Sequence, residues 1–386
     1  MLMISSGVLK NLVEMLVKSA RNSSKTDKLI YLKTDGEFLK LYFHGEDLSV
    51  EKKIIAEIEE DFEIATSISE LDTKVKALPD AILIKLMRTE DGFYIKWGDY
   101  FTSQLKLEIL PETAPILTVP ALTTSFKWAQ GKLNELVKSL QSFVIEPSIA
   151  QMDAKKVILL GLNFAKNQNG KLVVHATDSH KYASINTMDL EWFDENVVLD
   201  MRTLTGVCNV IAKDAGLEIG ITKDQYIVFR SGYTTAVCKP LVGNVPNLCH
   251  LYKTETTAKL LIDRLELVKL CDRVNLLSPT SPILIIEESA GKIHCIVPGT
   301  LDMDLRCSYE GTLPAFAMSY KHVKEAANLL SSYKDSDEII LYIDSPNEPI
   351  SFGVEGKDEM KIFVCPHRIP YVVESNKKKK KVLVKN

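Results

Sequence analysis

The sequence predicts an α+β fold repeated three times along the chain, with two helices packed on antiparallel sheets in each repeat. Three observations predict it. An amphipathic helix pattern opens at Gly7, and similar ones open at Gly131 and Asp263, about 124 and 132 residues apart. Each is followed by a hairpin pattern, a second helix and further strands. Helices and strands do not alternate as parallel βαβ units, so antiparallel layers are favoured. Repeats of roughly 120 residues have the usual size of one domain. Three similar domains suit a pseudo-symmetric scaffold better than a single-site enzyme.

In the first repeat, Val8, Leu9, Leu12, Val13, Leu16, Val17 and Ala20 form a helical stripe within Gly7 to Arg21. Lys10, Glu14 and Lys18 fall outside it. Leu29 to Lys33 and Glu37 to Phe43 read as strands around Asp35-Gly36, a strong hairpin signal. A second helix is expected from Ser69 to Leu78, ended by Pro79. Strands at 81–88, 92–97 and 104–109 close the unit, and Pro111 and Pro115 mark a boundary.

The second repeat keeps this order. A helix at 131–144 leads to strands at 156–166 and 171–176, joined through Asn169-Gly170. A helix at 201–212 and strands at 217–222, 225–230 and 234–240 follow. The third repeat places helices at 263–277 and 320–330, and strands at 282–288, 292–297, 339–344, 349–354 and 360–365. The closing segments are alike: Tyr94-Ile-Lys-Trp, Tyr226-Ile-Val-Phe and Ile350-Ser-Phe. Boundaries are expected at 1–118, 119–248 and 249–372, with a basic tail at 373–386.

The 386 residues are 46% hydrophobic, enough for two or three cores, and 25% charged, ordinary for a globular protein. No stretch approaches the ~20 apolar residues that span a bilayer. Glu14 and Lys18 interrupt the N-terminal apolar residues at helical spacing, so no signal peptide is expected. Seven scattered cysteines without a C-x-x-C pair read as reduced thiols in the cytoplasm, with no metal site. The formal net charge of −4 does not favour a protein coated in nucleic acid, yet allows one basic face. Lys377 to Lys381 read as a solvated tail or a non-specific phosphate contact.

Six segments point to a family. Ala176-Thr-Asp-Ser-His-Lys-Tyr-Ala183 resembles the Ala-Thr-Asp-Gly-His-Arg-Leu-Ala segment of the bacterial sliding clamp, the β subunit of DNA polymerase III. Val157-Ile-Leu-Leu-Gly161 resembles the strand ahead of it. Val198-Leu-Asp-Met-Arg-Thr-Leu204 is similar to the start of the middle domain's second helix. Asn244-Val-Pro-Asn-Leu248 resembles the Pro-Asp segment crossing into the third domain, and Ile343-Asp-Ser345 the Thr-Asp-Ser turn. Phe363-Val-Cys-Pro-His-Arg-Ile369 is similar to the C-terminal Val-Met-Pro-Met-Arg-Leu. The resemblance covers about residues 1 to 369. Ser179 departs from the family's Gly, Tyr182 from Leu, and Cys365 and His367 from two methionines. The chain also continues 17 residues past Ile369. A divergent, phage- or plasmid-borne copy would look like this.

The resemblance implies three DNA-clamp domains and a ring-forming, head-to-tail homodimer around duplex DNA. No cofactor is implied, and a separate clamp loader would open the ring. Helix faces lining the hole would carry Lys10, Lys18 and Arg21, then Lys132, Lys138 and Arg202, then Lys269, Arg273, Lys321 and Lys324. Such cations would meet phosphates without reading bases. A lone helical lysine is more often just solvated; recurrence on equivalent helices raises the reading. A pocket for peptides of the replicative polymerase and other partners would be walled by Lys156, Leu159, Thr177, Ser179, His180, Tyr182, Pro246 and Leu251. Phe363, Val364, Cys365, Pro366, His367 and Arg368 would complete it. Taken alone, Pro246 and Phe363 read as ordinary core. At the subunit contact, Leu105 and Leu107 would face Leu276 and Leu277.

Other readings compete. Asp178-Ser179-His180 invites a hydrolase, but neighbours on one extended segment point to opposite faces and cannot converge as a triad. There is no G-x-S-x-G elbow or Walker loop. Asp302 with Asp304 is the nearest acidic pair to a metal site, and reads as a surface turn. A monomeric clamp-like decoy would share the pocket without the dimer contact. A generic DNA-binding protein would hold linear and circular DNA alike.

Overall fold

The structure, a computed structural model, describes residues 1–23, 29–111, 121–211, 216–278 and 283–369. The lysine run, the tail at 373–386 and Pro115 lie outside them. Helices occupy Ser6–Arg21 (α1), Ile68–Lys76 (α2), Lys132–Leu140 (α3), Pro147–Met152 (α4), Met201–Val210 (α5), Arg264–Leu277 (α6) and Tyr320–Leu329 (α7). The strand pairings are antiparallel, and the α+β class stands.

Packing divides the chain into two compact units, Met1–Lys138 with Leu190–Gly243, and Ser139–Asp189 with Asn244–Asn386. In the first, one sheet runs Leu122–Trp128, Leu217–Thr222, Ile227–Ser231, Thr234–Cys238, Leu48–Ile55, Phe38–Phe43, Leu29–Asp35, Glu63–Ser67. Material from the first and second sequence repeats meets where Leu48 pairs with Cys238. A second sheet orders Glu57–Ile58, Leu2–Ser5, Leu83–Thr89, Gly92–Trp97 and Ser103–Leu107, which leaves Ser103–Leu107 at an edge. α1 packs against α2 and α5. Its apolar stripe is buried from Leu9 through Ala20, each leucine contributing about 1.5–3 kcal/mol. Val8, expected in that stripe, is 46% exposed. Gly206 lets α5 approach α1: a Cβ there would stand 2.6 Å from Leu48 Cδ2 and 3.2 Å from the Ser19 carbonyl oxygen.

The second unit repeats the device. Its larger sheet runs Gly161–Lys166, Lys171–Thr177, Lys181–Glu191, Lys357–Val364, Ile350–Val354, Glu338–Ile343, Ala258–Asp263, Cys307–Gly311. Here the second and third repeats meet where Lys181 pairs with Val364. A smaller sheet orders Leu301–Asp304, Lys292–Val297, Ile283–Ser289 and Phe316–Ser319. α6 and α7 pack together. Asp263 caps α6, its carboxylate accepting from Glu266 N at 2.8 Å.

Several sequence expectations shift. Val157 to Leu160, expected as strand, lies in a 3₁₀ stretch, Ala154–Leu160, and the strand begins at Gly161. Asp153 accepts from Lys155 N and starts that turn, which overrides the β-branched composition. The helix expected to Val144 stops at Leu140 and tightens to 3₁₀ over Gln141–Phe143. Asp302 and Asp304 sit on an edge strand rather than a turn, and His294 and Lys292 face Asp304. Strands Leu2–Ser5, Leu48–Ile55, Glu63–Ser67, Leu122–Trp128, Lys181–Glu191, Ala258–Asp263 and Cys307–Gly311 were not expected.

Candidate functional site

Thr177 to Lys181 is a tight turn stitched by its own polar side chains. Thr177 Oγ1 donates to the Lys181 carbonyl at 2.7 Å and accepts from Ser179 N at 3.2 Å. Asp178 Oδ1 accepts from His180 N at 2.8 Å and Lys181 N at 2.9 Å, as short acidic side chains do in turns. Ser179 has φ +82°, in the left-handed region that favours glycine. The segment is thus a turn rather than the extended stretch expected. Asp178 reaches His180 through the backbone, with its other oxygen 3.3 Å from Lys181 Nζ, and no Asp–His–Ser relay is assembled.

Lys181 is the centre of the arrangement, and sequence reasoning missed it as a site residue. Its side chain is 5% exposed. Its ammonium pairs with Glu325 on α7 and with Asp178, and lies 5.7 Å from the centre of the Phe143 ring. Burial pushes the Glu325 carboxyl upward, against the opposing pull of Lys181. His322, one turn before Glu325, brings Nε2 to 3.9 Å from Asp178 Oδ2 and stacks on His180, ring centres 6.1 Å apart. Burial holds the His322 imidazole down at about 4, and Lys181 adds to the effect. The available signal was the i, i+3 spacing of His322 and Glu325 on a predicted amphipathic helix.

The segment after Val364 is pinned beside this turn. Cys365 N donates to the His180 carbonyl at 2.8 Å, and His367 N to the Ala317 carbonyl at 2.7 Å. Pro366 cannot extend the ladder, so the strand ends at Val364. Burial lowers the basicity of His367, with His180 a further cause, and raises the Cys365 thiol.

The expected pocket wall separates into two groups. Thr177, Tyr182, Phe363 and Val364 are buried, and the Tyr182 and Phe363 rings stack at 5.2 Å. They form the sheet behind the surface and present no face to a partner, as the core reading of Phe363 alone required. Leu159 is buried as well. Ser179, His180, Pro246 and Arg368 are exposed, and Lys156, Leu251, Cys365, Pro366 and His367 half-exposed.

The expected phosphate-facing cations are mostly paired. Lys10 meets Asp80, Lys18 meets Glu14, Arg21 meets Asp72 and Lys132 meets Glu135. Arg202 meets Asp200, Lys269 meets Glu266 and Lys324 meets Asp272. Among the described residues, Lys138, Arg273 and Lys321 form no ion pair. Surface pairs of this kind are worth about 0–1 kcal/mol, so phosphates can replace the carboxylates.

Of the expected contact residues, Leu107 is buried opposite Phe93 within its own sheet and cannot face another subunit. Leu105, two residues earlier and therefore on the same face, is half-exposed. Leu276 is 82% exposed and Leu277 50%, at the end of α6. No described helix is long and apolar enough to cross a membrane.

No family model and no curated protein matches the sequence. The fold is nevertheless that of DNA polymerase III β subunits. A β subunit from Thermotoga maritima superposes with TM-score 0.82 at 14% identity, over 95% of this chain and 99% of that one. A β chain from Streptococcus pneumoniae gives 0.82 at 19%, over 95% and 100%. A DNA polymerase sliding clamp from Pseudomonas aeruginosa gives 0.81 at 18%, over 95% and 99%.

Proposed function

We propose that the chain is a DNA sliding clamp: a processivity factor that closes as a head-to-tail homodimer around duplex DNA and tethers a replicative polymerase. The observation that carries this is fold likeness across 95% of the chain and 99–100% of its neighbours. On this reading encirclement replaces tight binding, and the protein performs no chemistry of its own. The repeats at 1–118, 119–248 and 249–372 act as its three domains. Lys138, Arg273 and Lys321 meet phosphates directly, while the paired cations exchange carboxylate for phosphate. The exposed Leu276 and Leu277 pack against the Ser103–Leu107 edge strand of a second copy, whose Lys106 complements Asp302 and Asp304 on the Leu301–Asp304 edge.

Partner peptides dock at His180, His367, Pro366, Pro246 and Leu251, with Lys181 and Glu325 positioning the turn beneath them. Loading by a separate ATP-driven loader onto nicked circular DNA tests the reading. The protein should stay on the circle and leave once the DNA is cut. Equal retention on circular and linear DNA would replace the clamp with direct phosphate binding.

A further inference from the structure

The chain carries an internal template for the contact it leaves open. Isolated bridges recur along it: Ala65 with Leu110, Val198 with Leu241 and Ala317 with His367. Counting back from Leu110 and Leu241 makes Ser103–Leu107 equivalent to Thr234–Cys238. On the receiving side, Ala65 leads across its sheet through Tyr31 and Tyr42 to Glu51. Ala317 leads in the same way through Ile285 and Ile296 to Asp302, so Glu51 and Asp302 are equivalent. Thr235 pairs with Glu51, and Ala236 with Val50. The same register would set Gln104 of one copy against Asp302 of another, and Leu105 against Leu301, both half-exposed.

The corner beyond this pairing differs among the junctions. In the first unit the hairpin of Ile227–Ser231 and Thr234–Cys238 turns in two residues, Gly232 and Tyr233. Tyr233 closes the corner: its carbonyl accepts from Lys53 N at 2.9 Å, and its ring packs on Phe38, centres 5.4 Å apart. Phe38 opens a six-residue strand whose counterpart opens with Lys292. The second unit leaves its corner open. There Lys181 pairs with Val364 as Leu48 does with Cys238, and His175 stands in the place of Tyr42. Asn186 and Glu359, the counterparts of Lys53 and Tyr233, line a cleft of about 440 Å³. The fold therefore does not demand a closed corner; an aromatic residue at the hairpin tip closes it.

The equivalent hairpin of Gly92–Trp97 and Ser103–Leu107 turns in five residues, Gly98 to Thr102. Tyr100 and Phe101 follow one another at φ +56° and +55°, a left-handed backbone that disfavours any residue with a side chain. Phe101 lies beneath Lys85, whose ammonium is 5.5 Å from the ring centre. Tyr100 is 99% exposed, so holding it out in this way buries nothing within the chain. Strain kept without a packing return points to a partner. We propose that the loop from Gly98 to Thr102 is a clasp, which reaches over the Ser289–Lys292 turn of a second copy and sets Tyr100 against Lys292 of the partner subunit. The clasp rests on the head-to-tail dimer proposed above and adds a contact that the strand edges and the end of α6 do not supply. Lysine beside an aromatic ring is a pairing this sheet already uses, since Lys96 and Lys106 lie 5.7 and 5.6 Å from the Tyr94 ring centre. An exposed tyrosine can also stack on a nucleobase. Tyr233, the equivalent tip, packs on protein, which favours a second copy over a nucleic acid strand.

Sedimentation equilibrium of the full-length protein, at concentrations spanning its dimer dissociation constant, tests the clasp. Tyr100→Gly and Lys292→Gln should each loosen the dimer about tenfold, since a closed dimer holds two such cation–π contacts. The double variant should be about as loose as either single one, because both changes break the same contact. Tyr100→Gly should leave the urea midpoint unchanged or higher, as glycine takes the left-handed backbone freely. A parent-like dissociation constant for Tyr100→Gly, or losses that multiply in the double variant, would overturn the clasp and leave the strand pairing standing. So would a fluorescent oligothymidylate that binds the parent but not Tyr100→Gly while the dimer is unchanged, which would make the occupant a nucleic acid strand. A parent that sediments as a monomer at every concentration removes the head-to-tail dimer itself, and the clasp with it.

Discussion

Replacing Leu276 and Leu277 by aspartate is expected to split the proposed dimer while leaving each chain folded. The magnitude follows from exposure. Full burial of a leucine side chain is worth about 2 kcal/mol. With 82% and 50% of the two residues open to solvent, covering them contributes roughly 2.5 kcal/mol per contact. A closed head-to-tail dimer has two such contacts, so about 5 kcal/mol is lost, more than three orders of magnitude in dissociation constant. Aspartates facing an apolar partner add a desolvation cost in the same direction. Sedimentation velocity of the 43.2 kDa chain at micromolar concentration reads the result directly. Because both side chains project from the end of α6, the unfolding free energy should change by less than about 0.5 kcal/mol. A double variant that still sediments as a dimer, at concentrations where the parent does, refutes the interface.

Three further outcomes are expected. Neutralising Lys138, Arg273 and Lys321 together should lower the salt dependence of binding to linear duplex by about 0.9 per residue lost, more than neutralising the paired Lys18, Lys132 and Lys269; equal slopes for the two triples would show that pairing does not matter. Ser179→Gly should raise stability by about 0.5–1 kcal/mol, because the left-handed backbone costs serine about 1–2 kcal/mol and glycine's extra chain entropy returns part of that; a lower urea midpoint would contradict it. Burial holds the His175 imidazole down at about 4, below the ~6.5 of an unfolded histidine. Its contribution is whole above pH 6.5 and is lost as pH falls toward 4, by about 3 kcal/mol, since the unfolded chain takes the proton first. His175→Phe should flatten that part of the stability curve, and a parallel curve would show the ring to be solvated.

Period and punctuation in the sequence were enough for the simple hairpins and for the described helices other than the short Pro147–Met152. The stripe from Leu9 to Ala20 repeats at helical spacing, Asp35-Gly36 and Asn169-Gly170 mark turns where glycine takes positive φ, and Asp263 caps a helix through its own carboxylate. These depend on neighbours in the chain, so the chain alone carries them. The docking turn was legible as Thr177 to Lys181, but its chemistry was not: Lys181 meets Glu325 across 144 residues, and no local pattern encodes that distance. Strand alternation cannot say which face of a two-sided sheet is covered. Leu107 was therefore placed at a subunit contact and Phe363 in a pocket wall, and the structure buries both. Likewise, one register position holds Tyr42 in one unit and His175 in the other. The sequence by itself determined which segments are helices and which turns, through periodicity and capping. Only tertiary structure decided which side chains are buried and which cations already have partners, because these depend on strands brought together from distant parts of the chain.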